Sequence, residues 1–165
     1  MLYGVAMMNN DWFLQRAYDI LHDVTPLRDD CGCLCDAKCC KGTSADGMLL
    51  FPGEEKYFEN DSSFVIKDTD FGKTLICSGR CDRTKRPLAC RIFPLFPYVT
   101  KDENGFRINV LKDIRALQYC PLKQDDMQPQ FYRAVRLATR NLLRDDQSAR
   151  FLLCMTQNMM DLGNL

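Results

Sequence analysis

The chain has 165 residues, of which 46% are hydrophobic, so it is long enough to form one domain around a continuous apolar core. Lysine plus arginine and aspartate plus glutamate both number 22, and this balance removes the broad electrostatic attraction that nucleic acid or an anionic membrane surface requires. The apolar stretches are far shorter than a bilayer span and the N-terminus lacks a basic region and a cleavage site, so we expect no membrane helix, no export signal and a cytoplasmic location.

The first part of the chain predicts an amphipathic helix followed by an irregular segment. From Asn10, apolar residues recur at helical spacing and form a stripe that extends from Phe13 to Val24. Asn10 is a candidate cap, and Pro26 is expected to end the helix. Residues 27–46 contain too few aliphatic side chains to build regular structure alone, so a metal would supply the order that packing does not.

The middle of the chain predicts two β-hairpins. Branched residues in the runs 63–67 and 73–77, separated by a turn at 68–72, indicate the first hairpin. The runs 97–100 and 106–111 indicate the second, because the Asn-Gly step between them supplies the positive φ that a tight reversal requires.

Helices are predicted on both sides of these hairpins. A short one passes through Tyr57 and Phe58, and two longer ones extend from about Pro129 to Arg144 and from about Ser148 to Met160. No internal repeat, low-complexity tract or linker divides the chain. We therefore predict a small single α+β domain over residues 1–165, with terminal helices, short antiparallel hairpins and a cysteine-ligated metal core.

The cysteines are numerous and unevenly distributed. Of ten, five lie within residues 31–40 and five are spread beyond them: Cys31, Cys33, Cys35, Cys39 and Cys40, then Cys77, Cys81, Cys90, Cys120 and Cys154. The dense group cannot form an ordinary disulfide ladder, because Cys39 and Cys40 are adjacent and the others are too close to pair with acceptable geometry. In a reducing compartment, crowded free thiols are typical of metal binding or thiol chemistry.

Two cysteine-containing segments, residues 31–40 and 77–94, form the candidate metal site. A metal requires about four thiolates that converge at bonding distance, and two short remote loops make a suitable clamp. The Arg86-Pro87 step would help to orient Cys90, because proline fixes its own φ and restricts the residue before it. Arg86 and Arg91 are expected to orient this segment by hydrogen bonds and salt bridges; the alternative is that they lower thiolate pKa values or bind an anionic substrate.

The spacing in these segments resembles a family of cysteine-cluster domains of the CxxCxxCC type, thought to chelate zinc or iron. The resemblance covers residues 31–94 and is carried by the vicinal pair Cys39-Cys40, then by Cys77, Cys81, Arg86-Pro87, Cys90-Arg91 and Phe93-Pro94. This chain departs from the family pattern in having three residues between Cys35 and Cys39 and in the additional Cys33. Relatives of the family occur within flagellin lysine methylases.

The resemblance implies a set of metal ligands and leaves two metals open. The implied ligands are Cys35, Cys39, Cys40, Cys81 and Cys90, with Cys31 as the next candidate. Cys120, which precedes Pro121, is a further candidate outside the matched stretch. All-cysteine ligation suits both zinc and iron. The missing zinc-knuckle pair, the vicinal cysteines and the surplus of thiols favour an iron–sulfur cluster over zinc.

Several other residues are assigned structural roles. Cys154 lies in an apolar helical stripe and is predicted to be a buried small hydrophobe, whereas Cys77 fits either role. Glu54 and Glu55 are typical of the acidic start of a helix, with a catalytic pair as the alternative, and one of them falls where the family carries an acidic residue. Three aromatic residues are expected to cover the metal site: Phe93, Phe96 and Tyr98.

We therefore expect a metal-binding protein whose iron–sulfur cluster or zinc ion is structural or carries electrons. Two alternatives stay open: an enzyme of the transferase or oxidoreductase type, for example one related to protein lysine methylation, and a disulfide-stapled interaction module. No catalytic residue is assigned, and the single histidine, His22, is expected to be partly exposed beside Asp23. An unidentified protein partner is compatible with this interpretation, whereas nucleic acid and membrane are not expected.

Overall fold

The fold is α+β, as predicted. A computed structural model describes residues 10–29, 31–40, 47–79 and 82–163. Its α-helices are α1 Asn10–Ile20, α2 Gly32–Cys35, α3 Leu88–Ile92, α4 Pro129–Leu142 and α5 Asp146–Gly163. Its strands are β1 Met48–Leu49, β2 Phe64–Thr69, β3 Gly72–Cys77, β4 Leu95–Asp102 and β5 Gly105–Lys112. None of the helices in these ranges combines the length and apolar character needed to cross a membrane.

The first predicted hairpin is confirmed and belongs to a three-stranded antiparallel sheet. β2 and β3 pair from Phe64 opposite Cys77 to Thr69 opposite Gly72. β1, which the sequence did not predict, pairs with the other edge of β3. A small apolar cluster packs around this sheet, formed by Leu50, Phe58, Phe64 and Leu75. Cys77 therefore ends the central strand of the sheet.

The second predicted hairpin is also confirmed, with longer strands than expected. β4 and β5 pair from Leu95 opposite Lys112 to Asp102 opposite Gly105. Gly105 has a φ of 108°, a conformation that glycine adopts at no steric cost. The Asp102 carboxylate accepts the Asn104 backbone N–H over 2.8 Å and so stabilises the turn.

Helices α1, α4 and α5 pack around the β4–β5 hairpin and form the main core. Pro129 is the first residue of α4, where its missing N–H costs nothing, and the helix then buries Phe131, Val135 and Ala138 at helical spacing. From α1, the core receives Leu14, Ala17 and Leu21. The residue-120 segment lies beside the end of β5, because the Lys112 ammonium donates to the carbonyl oxygens of Cys120 and Leu122 over 2.9 and 2.7 Å.

The three long helices are confirmed, with ends that differ from the predicted ones by a few residues. α1 ends at Ile20, well before Pro26, although the following residue, Leu21, still packs in the core. α4 ends at Leu142 and α5 begins at Asp146, because the Asp145 carboxylate accepts the Ser148 N–H over 2.8 Å and caps the new helix. The short helix expected at Tyr57 is a 3₁₀ turn over Glu54–Tyr57.

Two predicted side-chain placements were also wrong. Cys154 is exposed rather than buried, because the core-facing side of α5 is formed by other residues, including Leu152 and Met155. Phe96 and Tyr98 belong to a cluster with Met155 and Met159 of α5 and do not line the cysteine-rich cavity. Both methionines are buried in this cluster.

Candidate metal centre

The dense cysteine segment folds back on itself within residues 31–40. α2 ends where Asp36 and Ala37 adopt φ values of 51° and 50°, and a 3₁₀ turn over Lys38–Cys40 follows. The Ala37 N–H donates to the Gly32 carbonyl oxygen over 2.9 Å, and the Cys40 N–H donates to the Ala37 carbonyl oxygen over 2.8 Å. This reversal brings Cys31 and Cys35 to the same cavity as Cys39 and Cys40.

The second segment is organised by α3, a helix that the sequence did not predict. Asp82 caps a preceding 3₁₀ turn by accepting the Thr84 N–H over 2.9 Å, and Pro87 immediately precedes the first residue of α3. Five residues are too few to show a helical period, which explains why the pattern was missed. α3 carries both Cys90 and Arg91.

The two segments and the residue-120 region line one cavity of about 150 Å³. Seven cysteines contribute to its walls: Cys31, Cys35, Cys39, Cys40, Cys77, Cys90 and Cys120. Every predicted ligand that the structure describes is therefore at this cavity, and Cys77 joins them. Cys81, also predicted as a ligand, lies outside the described residues. Cys33 and Cys154 are exposed and do not line the cavity.

The thiols of the dense segment influence one another directly. A hydrogen bond with Cys40, followed by burial and the proximity of the Cys40, Cys31 and Cys35 thiols, raises the pKa of Cys39 far above its usual range. The Cys35 thiol lies 3.9 Å from the Cys31 carbonyl oxygen. All nine cysteines that the structure describes are free thiols. Among the same residues, no three Cys, His, Asp or Glu side chains are arranged to hold a metal ion as they stand.

The backbones of the two segments meet at Gly79. This glycine has a φ of 84°, and a Cβ atom placed on it would lie 2.8 Å from the Cys40 carbonyl oxygen. A side chain would therefore require either the Cys39–Cys40 turn or the end of the β3 segment to move. Glycine permits the close approach that brings Cys77 and Cys40 to the same cavity.

Three arginines line the same cavity: Arg83, Arg86 and Arg91. Arg91 is buried, and its Nε and Nη2 atoms donate to the carbonyl oxygens of Arg86 and Thr84 over 2.8 and 2.7 Å. Its guanidinium carbon lies 4.7 Å from the centroid of the Tyr18 ring. The orienting role predicted for Arg91 is thus confirmed, through backbone carbonyls that precede Cys90.

Glu54 is the first residue of the 3₁₀ turn, as predicted for an acidic helix start, but its side chain also has a role that the sequence did not indicate. Its carboxylate is fully buried and accepts hydrogen bonds from the backbone N–H groups of Leu88 and Phe51, over 2.6 and 2.8 Å, and from the Tyr18 hydroxyl. Burial raises the pKa of Glu54 to about 6, although the three donors oppose the change. The sequence contains no signal for this arrangement, because the donors come from distant segments. His22 is exposed beside Asp23, as expected.

Comparison of the chain with protein-family models, curated proteins and solved structures gives no significant match. The resemblance to the CxxCxxCC family therefore stays a prediction from the cysteine spacing.

Proposed function

We propose that this protein binds a thiolate-ligated metal centre in the cysteine-lined cavity, where the centre is structural or carries electrons. The observation that supports the proposal is the gathering of seven cysteines from separate chain segments around one cavity. Free cysteines that only fill space are among the most buried of all residues. None of the nine described cysteines is fully buried, so a packing role does not account for their placement.

The charge around the cavity suits a thiolate centre. Thiolate ligands leave a zinc ion or an iron–sulfur cluster with a net negative charge, and a nearby guanidinium stabilises that charge. Arg83, Arg86 and Arg91 line the cavity, and the single histidine, His22, is exposed elsewhere. The donor set therefore fits an all-cysteine centre.

The thiols of the dense segment lie close to one another, as the ligands of one centre must. Cysteine ligates as thiolate, so metal binding must displace protons from the ligands. The hydrogen bond with Cys40, burial and the proximity of the Cys31 and Cys35 thiols raise the pKa of Cys39. Loss of these protons and rotation of the side chains toward a common point would form the site. Asp36 and Ala37 adopt left-handed backbone conformations, which are uncommon for residues other than glycine. Such conformations cluster at functional sites, so they also support a functional role for this turn.

We favour an iron–sulfur cluster over a single zinc ion. The sequence lacks the zinc-knuckle pair with two residues between its cysteines, and it contains the vicinal pair Cys39-Cys40, which is hard to place around one tetrahedral zinc ion. An iron–sulfur cluster with cysteine ligands supplies one-electron transfer when it is bound. The protein residues would hold the cluster, limit its contact with water and set the local charge through the arginines.

Anaerobic purification followed by measurement of iron, acid-labile sulfide and zinc tests the proposal. We expect a coloured protein that contains iron and sulfide. A colourless protein with stoichiometric zinc would keep the metal centre but assign it to zinc. Protein without either metal, or with the cavity cysteines oxidised in pairs, would overturn the proposal and support the disulfide-stapled alternative.

Matched cysteine variants identify the site. Cys39→Ser and Cys90→Ser remove thiols that line the cavity, one from each segment, and should lose most of the bound metal. Cys33→Ser and Cys154→Ser remove exposed thiols outside the cavity, and these two variants should keep the bound metal. Cys33 is the closer control, because it lies in the same dense segment as Cys39. Equal metal content in all four variants would contradict the proposed ligands.

A further inference from the structure

A second cavity, distinct from the cysteine-lined one, lies between α4 and β5. It has a volume of about 230 Å³ and is lined by three arginines and three apolar side chains: Arg136, Arg140, Arg144, Phe106, Ile108 and Leu143. We call it the arginine groove. Arg136 and Arg140 are one helical turn apart on α4, and Arg144 follows the end of this helix. No carboxylate contributes to the lining.

The positive charge of the arginine groove is not neutralised within the described part of the chain. None of its three arginines takes part in the ion pairs found there. The Arg144 guanidinium instead lies over the rings of Trp12 and Phe13, at 5.7 and 5.6 Å from their centroids. Three neighbouring cations without a counter-charge repel one another, and a bound anion would relieve that repulsion.

The same groove adjoins an open strand edge. The Asp113 N–H donates to the Pro94 carbonyl oxygen over 2.9 Å, which identifies residues 94 and 113 as a hydrogen-bonded pair of the antiparallel hairpin. Hydrogen-bonded and non-hydrogen-bonded pairs alternate along such a hairpin. The backbone groups of Phe106 and Ile108 therefore point away from β4. No strand in the described ranges pairs with that edge.

We propose that the arginine groove and the outer edge of β5 together bind an extended acidic peptide segment of a partner protein. The backbone of the peptide would pair with Phe106 and Ile108, and its acidic side chains would contact Arg136 and Arg140. The two parts are continuous, because Phe106 and Ile108 belong to both the edge and the lining of the groove. A free small anion would use only the arginines and leave the strand edge unpaired.

The distance between successive arginines of the groove fits an extended peptide. Residues four apart on a helix are separated by about 6 Å along its axis. Residues two apart on a strand are separated by about 6.7 Å and lie on the same face. Acidic residues at alternate positions of an added strand would therefore match Arg136 and Arg140. The apolar side chains of the groove, Ile108 and Leu143, would cover the aliphatic parts of the two arginines.

A second copy of this chain is a poorer occupant. Antiparallel pairing of two β5 edges relates the copies by a twofold axis perpendicular to the sheet, so both α4 helices would lie on the same face. The two sets of arginines would then face each other without counter-charges. Charge complementarity thus favours an acidic partner over self-association.

Fluorescence anisotropy with the full chain tests this proposal. The probe is a fluorescein-labelled octapeptide of alternating glutamate and valine, and the matched controls are a lysine–valine octapeptide and a glutamate–valine octapeptide with N-methylated alternate backbone amides. We expect only the first to bind, with an affinity that falls as salt is raised. Loss of binding on N-methylation would identify backbone pairing, because those amides can no longer donate.

Charge-reversal variants locate the site. Arg136→Glu together with Arg140→Glu should weaken binding of the glutamate–valine peptide by about tenfold or more. Arg133→Glu together with Arg150→Glu changes two exposed arginines outside the groove and should leave binding unchanged. The proposal would be overturned if the N-methylated peptide bound equally well, or if the glutamate–valine peptide did not bind at low salt. It would also be overturned if the two double variants weakened binding equally. A dimer in sedimentation analysis that dissociates when the β5 edge is blocked by Ile108→Pro would overturn it as well.

Discussion

The Leu88 N–H donates a hydrogen bond to Glu54 Oε1 over 2.6 Å, and this contact fastens the start of α3 to a buried carboxylate. The same carboxylate accepts the Phe51 N–H and the Tyr18 hydroxyl. Glu54 thereby joins α1, the turn that precedes its own 3₁₀ helix and the helix that carries Cys90. The position of Cys90 at the cavity consequently depends on a residue that is not a candidate ligand.

Replacing this carboxylate should destabilise the fold. In Glu54→Gln, one carboxylate oxygen becomes an NH₂ group, which cannot accept a hydrogen bond and leaves at least one buried donor unpaired. We expect the free energy of unfolding to fall by about 1–3 kcal/mol in urea denaturation. Glu55→Gln is the matched control and should change stability by less than about 0.5 kcal/mol, since Glu55 is part-exposed. Equal stability of the two variants would contradict the role of Glu54.

The same carboxylate should give the protein a characteristic pH dependence. Burial raises the pKa of Glu54 from an ordinary value of 4.5 to about 6. Between these two pH values the folded state binds more protons than the unfolded state, so this residue makes stability fall as pH rises. The loss should be about 2 kcal/mol and complete above the folded pKa. Below pH 4.5 the residue contributes no slope.

Comparison with Glu54→Gln isolates this effect from other titrating groups. Urea midpoints of the two proteins, measured from pH 4 to pH 7 in about half-unit steps, should diverge, with the wild type losing stability relative to the variant as pH rises. Parallel curves would show that Glu54 titrates at its ordinary pKa in the folded protein.

Local signals were sufficient to predict the two hairpins and the convergence of the cysteine segments. The Asn-Gly turn and the branched runs are local features, and the structure shows β4–β5 closing at Gly105 as expected. Burial of Glu54 could not be predicted in this way, because its donors come from Tyr18, Phe51 and Leu88. α3 was missed for the same reason, since its start is held by that distant carboxylate rather than by a local cap.

The misplaced side chains reflect ambiguity in the periodic patterns. Apolar residues occur around much of α5, so the sequence did not indicate that Met155 would be buried and its neighbour Cys154 exposed. In β4, alternation sends Phe96 to the α5 side, whereas Leu95 and Val99 face the main core. Which face of a strand meets which helix depends on tertiary packing and is not encoded in the alternation itself.

Thiol reactivity should distinguish Cys39 from Cys33, since both are exposed but only Cys39 lines the cavity. Because the pKa of Cys39 is raised, little of it is thiolate in the metal-free protein near neutral pH, and alkylation by iodoacetamide should be slow. Cys33, which is exposed like Cys39, lies outside this group of neighbouring thiols and should react faster. Peptide mass spectrometry over a time course measures both rates. Metal loading should slow modification of Cys39 further and leave Cys33 unchanged; equal rates in the metal-free protein would contradict the raised pKa.

The contact between Gly79 and Cys40 leads to a prediction that separates backbone strain from disruption of the cavity. Gly79→Ala places a Cβ atom 2.8 Å from the Cys40 carbonyl oxygen at a φ of 84°. Gly105→Ala imposes a comparable strain at a φ of 108°, but no other atom lies within 4 Å of the added Cβ. Both variants should therefore lose about 1 kcal/mol or more of stability through the left-handed backbone.

If the proposed metal centre forms, only Gly79→Ala should also change it, because relief of its clash must move the Cys39–Cys40 turn or the end of the β3 segment. We expect this variant to release metal to a competing chelator faster than the wild type, whereas Gly105→Ala releases it at the wild-type rate. Metal release followed by a colorimetric chelator, at a temperature where both variants remain folded by circular dichroism, measures the difference. Equal release from both would mean that the approach of Gly79 to Cys40 does not position the ligands, even if both segments contribute thiols to the cavity.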